Sequence, residues 1–125
     1  MRRRVLIGLL ATALLGAAAP ARADAPKNGT AVGVGEREFT ITPYRTSVPP
    51  GLVRFNVTNF GEDAHDFTVT TRRGTVLASL PEIRSKRRAT LKVRLTRPGT
   101  YRLLCTQLDH AARGMRATVV VRRPQ

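Results

Sequence analysis

Every cysteine and histidine of this chain, and its one methionine beyond the initiator, falls in two short segments. Cys105, His110 and Met115 share the run Cys105-Thr-Gln-Leu-Asp-His110-Ala-Ala-Arg-Gly-Met115, with four residues in each gap. His65 lies forty residues before Cys105, in Asn59-Phe-Gly-Glu-Asp-Ala-His65-Asp-Phe. If these four side chains act together, the fold must return position 65 to the 105–115 run. Strand ends can do this. A Cys closing one strand, a His across a tight loop and a Met opening the next strand can face one point, with His65 supplied by a neighbouring strand end. A thiolate, two imidazoles and a thioether form the donor set of a blue-copper electron-transfer centre. Soft sulfur favours Cu(I) and imidazole suits both oxidation states, so little has to move when one electron is exchanged. The candidate ligands of one copper ion are therefore His65, Cys105, His110 and Met115.

Each residue also has a plainer reading on its own. A lone Cys is usually a small buried hydrophobe, His65 would serve as a turn or core residue, and Met115 as core packing. Zinc competes as the ion, because it too binds Cys and His. Structural zinc sites, however, favour several thiolates and do not use a thioether.

The rest of the pattern is strand-like, with no sustained 3.6-residue apolar period beyond the N-terminal apolar run. Alternation is clearest at Leu91, Val93 and Leu95, with Lys92 and Arg94 facing the other way. Val53, Phe55 and Val57 form a second apolar face, and Tyr101, Leu103 and Cys105 a third. The predicted strands are Ala31–Val34, Glu38–Thr42, Leu52–Asn59, Asp66–Thr71, Thr90–Leu95, Tyr101–Cys105 and Arg116–Arg122. Pro49-Pro50-Gly51, Asn59 to Gly61 and Pro98-Gly99 punctuate them. Several short strands with regular turns indicate an all-β sandwich or barrel. Residues 72–89 are the least legible; a short strand or a helical turn both fit. Val76, Leu77 and Leu80 are expected there to cover one end of the core, and Arg84, Lys86, Arg87 and Arg88 form a basic cluster.

The pattern Asn-x-Gly-x-x-x-His-x-Phe, then Pro-Gly-Thr-Tyr-x-x-x-Cys-x4-His-x-x-x-Gly-Met, resembles the cupredoxins, the plastocyanin- and azurin-like proteins. It is carried by Asn59, Gly61, His65 and Phe67, then Pro98 to Tyr101, Cys105, His110, Gly114 and Met115, and the likeness runs from about Val32 to Val121. One departure is Leu108-Asp109, where many relatives have Pro-Gly. The resemblance implies a Greek-key β-sandwich or barrel of about seven to eight strands. It also implies that His110 reaches the surface through an apolar patch, for which Leu108, Ala111 and Ala112 are the candidates. In cupredoxins the residue after the first His often ties the two ligand loops together. Asp66 stands there and could accept a hydrogen bond from Thr106; alternatively it is solvated or paired with an arginine.

Met1-Arg-Arg-Arg-Val-Leu-Ile-Gly-Leu-Leu is a basic start leading into an apolar run, and Pro20-Ala-Arg-Ala23 supplies a small-x-small cleavage pattern. Residues 1–23 therefore read as a secretory signal peptide, 24–30 as a loose leader and 31–125 as the folded domain. A retained membrane anchor is the alternative, although Val5 to Ala19 is short for a span. Removing 1–23 leaves 102 of the 125 residues, enough for one domain. Arg2, Arg3, Arg4 and Arg22 leave with it and no acid does, so the formal charge falls from +14 to +10. A single Cys in an exported chain needs an explanation, and metal ligation supplies one.

That charge favours an acidic redox partner or an anionic envelope; the plainer alternative is a solvated basic surface. Nucleic acid is excluded as a partner, since an exported chain without basic residues interleaved with aromatics is a poor nucleic-acid binder. Copper oxidases and nitrite reductases need further copper sites and hence further histidines, and none is to spare here. The expected product is a monomeric, exported one-electron carrier rather than an enzyme. A copper-delivery protein and a cupredoxin-like module with a structural role are the competing readings.

Overall fold

The computed structural model describes residues 16–19 and 26–125, so the signal peptide expected at 1–23 lies, apart from 16–19, outside the described residues. Among these, no helix is long and apolar enough to cross a membrane. The described residues form nine strands in chain order: β1 Thr30–Arg37, β2 Thr40–Pro43, β3 Ser47–Val48, β4 Gly51–Asn59, β5 His65–Thr71, β6 Val76–Ile83, β7 Arg88–Leu95, β8 Gly99–Leu104 and β9 Arg116–Val121. They form two sheets, ordered β2-β1-β4-β7 and β3-β9-β8-β5-β6. β1 pairs parallel with β4 and β3 parallel with β9, while the other pairs are antiparallel.

Alternation along the strands builds the space between the sheets. Val32 and Val34, then Val53, Phe55 and Val57, then Leu91, Val93 and Leu95 line the first sheet. Phe67, Val69, Tyr101, Leu103, Val119 and Val121 answer from the second. The rings of Phe55 and Phe67 meet in this core with centroids 5.4 Å apart. Burying each side chain of this size contributes about 1.5–3 kcal/mol, so these inward faces dominate the fold's stability. Tyr101 also pins a turn, since its hydroxyl donates to the Arg97 carbonyl at 2.8 Å.

Three expectations are corrected. Glu38 and Phe39 form the turn between β1 and β2, and the strand expected from Glu38 starts at Thr40. Thr30, placed in the loose leader, opens β1 and pairs with Val53. Residues 76–83, unassigned from the pattern, are β6; Val76 and Leu77 are exposed there, and only Leu80 of the three packs on the core. β6 ends its sheet and contains Pro81, so it needs neither two buried faces nor a full ladder.

The registers explain how position 65 meets the 105–115 run. β5 lies antiparallel beside β8 with Thr68 opposite Leu104, so the start of β5 adjoins the end of β8. β8 and β9 form a hairpin with Leu104 opposite Arg116. Residues 105–115 are its loop, and His65 opens β5 beside it.

Candidate metal centre

Cys105, His65 and His110 converge at this end of the sandwich, all three buried. His65 Nδ1 and His110 Nδ1 are 3.3 Å apart, and Cys105 Sγ lies 3.5 Å from His110 Nδ1 and 3.9 Å from His65 Nδ1. The point equidistant from atoms so separated is about 2.1 Å from each, inside the 2.0–2.3 Å range of metal–nitrogen and metal–sulfur bonds. The residues present thus fit a metal ion without rearrangement. Burial pushes the Cys105 thiol up, so a cation binding there must displace its proton.

Met115 is fully buried at the far end of the loop. Its N–H donates to the His110 carbonyl at 3.0 Å and its carbonyl accepts the Cys105 N–H at 3.2 Å, tying the loop's ends together. Between them the chain winds through tight turns, with Arg113 N–H donating to Asp109 O at 3.0 Å and the Arg113 side chain paired with Asp109 at 3.1 Å. Leu108, at the departure from the cupredoxin pattern, adopts a left-handed φ of 44° and is 93% exposed. Gly114 has φ 113°, a conformation that side chains rarely adopt, and it lets the loop turn into β9.

Asp66 is tied to the other loop. One carboxylate oxygen accepts the Thr106 N–H at 2.6 Å and the other accepts its hydroxyl. These bonds fasten the residue after His65 to the residue after Cys105. Asn59, fully buried, knots the β4–β5 loop. Its amide donates to Asp63 O and Ile83 O at 2.7 and 2.9 Å, and its Oδ1 accepts the Gly61 N–H at 2.8 Å. The expected basic cluster flanks this knot in the β6–β7 turn, where Ser85 donates to Gly61 O at 2.6 Å and Lys86 Nζ to Phe60 O at 3.1 Å.

Sequence reasoning missed Glu38 and Phe39. Glu38 Oε1 lies 3.0 Å from His65 Nε2 and accepts the Asp63 N–H at 2.8 Å. Backbone hydrogen bonding, chiefly from Asp63, holds its pKa down at about 2. Phe39 packs against the His110 ring at 4.9 Å between centroids and carries the Arg113 guanidinium on its face at 4.6 Å. A short turn between two strands offers no periodicity to mark either residue. Glu36, also unremarked, is fully buried with neither carboxylate oxygen partnered among the described residues. Burial, and secondarily the charge of Asp66, raises its pKa to about 8.

No protein-family model matches the chain, and no curated protein matches it. Solved structures do. Auracyanin from the photosynthetic bacterium Roseiflexus castenholzii superposes with a TM-score of 0.67 at 18% identity, over 75% of this chain and 98% of that one. Auracyanin A, described as a "blue" copper protein from Chloroflexus aurantiacus, gives 0.65 at 15% identity, over 74% and 98%. The chain has the cupredoxin fold. Rusticyanin from Thiobacillus ferrooxidans extends the likeness, with a TM-score of 0.60 at 18% identity over 75% of this chain and 79% of that one. The nine strands, one of them only two residues long, slightly exceed the seven to eight expected of a cupredoxin from the sequence pattern.

Proposed function

We propose that this chain is an exported blue copper protein that carries one electron between partners, with His65, Cys105, His110 and Met115 as ligands. The observation that carries this reading is the convergence of three buried donors on a point at bonding distance from all of them. The fold supports it, since auracyanin A is described as a blue copper protein. A copper ion held by these residues supplies one-electron redox chemistry. The chain's own part is to exclude water and keep the donors in place. His65, Cys105 and Met115 are fully buried, and the bonds from Asp66, Asn59 and the loop backbone resist movement. With no further histidine or cysteine for a second centre, a carrier fits better than a catalyst.

The test is titration of the purified protein with Cu(II). An intense visible thiolate-to-copper absorption that saturates at one equivalent is expected; a colourless protein rejects the reading. Zinc would bind without colour, and a delivery protein would hand its metal to an acceptor, which metal counting after mixing detects.

The exit for the electron is His110, 7% exposed where the other donors are sealed. Exposed Leu108 and Ala112 lie close to it in the chain, and a groove lined by Arg102, Leu104, Ala111, Ala112, Arg116 and Ala117 runs alongside. Apolar contact beside arginines suits brief docking of an acidic partner. Exchange with such a partner is expected to slow as salt rises, because the screening length falls from roughly 10 Å at 0.1 M to 3 Å at 1 M. A salt-independent rate rejects the acidic partner and leaves the copper site standing.

A further inference from the structure

The copper reading makes no use of Glu38, yet this side chain crosses from the β1–β2 turn to touch a proposed ligand twenty-seven residues away. A carboxylate accepts hydrogen bonds and does not donate them. Its Oε1 lies 3.0 Å from His65 Nε2, so that nitrogen carries the hydrogen. In a neutral imidazole the other nitrogen then keeps a free lone pair. That nitrogen is His65 Nδ1, the atom facing His110 Nδ1 at 3.3 Å and Cys105 Sγ at 3.9 Å. The contact therefore selects the tautomer a metal needs and aims it at the shared point.

The loop below is shaped to receive this carboxylate. A Cβ on Gly61 would overlap Glu38 Oε1 and stand 2.7 Å from its carboxyl carbon. The loop has little freedom to retreat, because Asn59 Oδ1 holds the Gly61 N–H and Ser85 holds the Gly61 carbonyl. Asp63, on the same loop, donates its N–H to the carboxylate at 2.8 Å. The Gly of the Asn59-x-Gly61 motif is thus explained by the space Glu38 occupies.

We infer that Glu38 is a positioning residue for His65, seated by Gly61, which sets the imidazole tautomer and whose negative charge favours Cu(II) over Cu(I). The inference rests on the copper reading for its second half and on the metal-free protein for its first. Outer-shell partners of ligating histidines fix ring orientation and raise ligand basicity, and losing one costs about 10–100-fold in metal affinity.

Nitrogen NMR of the metal-free protein, at a pH where His65 is neutral, reads the tautomer directly. The wild type is expected to show His65 protonated at Nε2, Glu38→Gln to retain this because an amide oxygen still accepts, and Glu38→Ala and Gly61→Ala to show a mixture. With copper, Glu38→Ala is expected to lose about 10–100-fold in Cu(II) affinity. Glu38→Gln should lose Cu(II) affinity more than Cu(I) affinity, which is a raised reduction potential. An unchanged tautomer in folded Glu38→Ala overturns the positioning role. Should that variant not fold, Glu38→Gln decides, and an unchanged ratio of Cu(II) to Cu(I) affinities overturns the inference. If the wild type stays colourless with Cu(II), the copper reading fails, while the tautomer measurement still decides whether Glu38 orients His65.

Discussion

Cys105→Ser is expected to abolish the visible absorption of the copper-loaded protein and to lower its copper affinity by more than about 100-fold, beyond the range that loss of an outer-shell partner costs. The colour requires a thiolate donating charge to the metal, and a serine hydroxyl neither ionises readily nor offers a soft donor. The substitution is close to isosteric at a site with no exposed surface, so the fold is expected to survive it. His65 and His110 remain, and weak, colourless binding through the two imidazoles is the expected residue. Visible spectroscopy together with a competition titration checks both parts. No other cysteine exists to take over the role. Colour retained in this variant would therefore end the ligand assignment.

The metal-free protein is expected to lose stability as pH rises from about 4.5 to about 8, and Glu36→Gln is expected to remove most of that loss. Glu36 has both oxygens unpartnered among the described residues, and burial raises its pKa from 4.5 to about 8. Below the unfolded-state value the group is neutral in both states and contributes no pH dependence. Between the two values the folded state holds a proton that the unfolded state has released, so stability falls with rising pH. Above about 8 both states are ionised and the full cost is present. Each unit of separation corresponds to 1.36 kcal/mol, which makes the penalty about 3 kcal/mol at pH 7. Glutamine keeps the size and polarity of the neutral acid and cannot ionise. Denaturant unfolding of wild type and variant across this pH range measures the difference. If the two differ by a constant amount at every pH, Glu36 does not titrate as described.

How much of this was legible beforehand depends on the range over which each signal acts. β4, β7 and β8 could be read directly, because a strand with one buried face must alternate, and Val53, Phe55, Val57, Leu91, Val93, Leu95 and Leu103 do. β6 could not, since an edge strand carries no such obligation and its Val76 and Leu77 stay in solvent. The ligand types were equally plain. Few side chains can bind a redox metal, and this chain holds almost none outside two segments. For Asp66 the cupredoxin resemblance offered a tie to Thr106 beside a solvated or arginine-paired alternative, and the bonds decide for the tie.

Glu38, Phe39 and Glu36 were invisible for the opposite reason. Nothing local distinguishes Glu38 from a solvated turn acid, and only the folding of the β1–β2 turn over the β4–β5 loop brings it to His65. Glu36 lay beyond the strand expected at Ala31–Val34, and it is buried because β1 carries its inward face on past Val32 and Val34 to Arg37. The amino-acid sequence by itself determined the strand faces and the donor chemistry, which are properties of residue type and short-range period. The tertiary structure alone decided which carboxylate holds which imidazole, because the contact joins residues whose separation along the chain sets no constraint until strands from both sheets are paired.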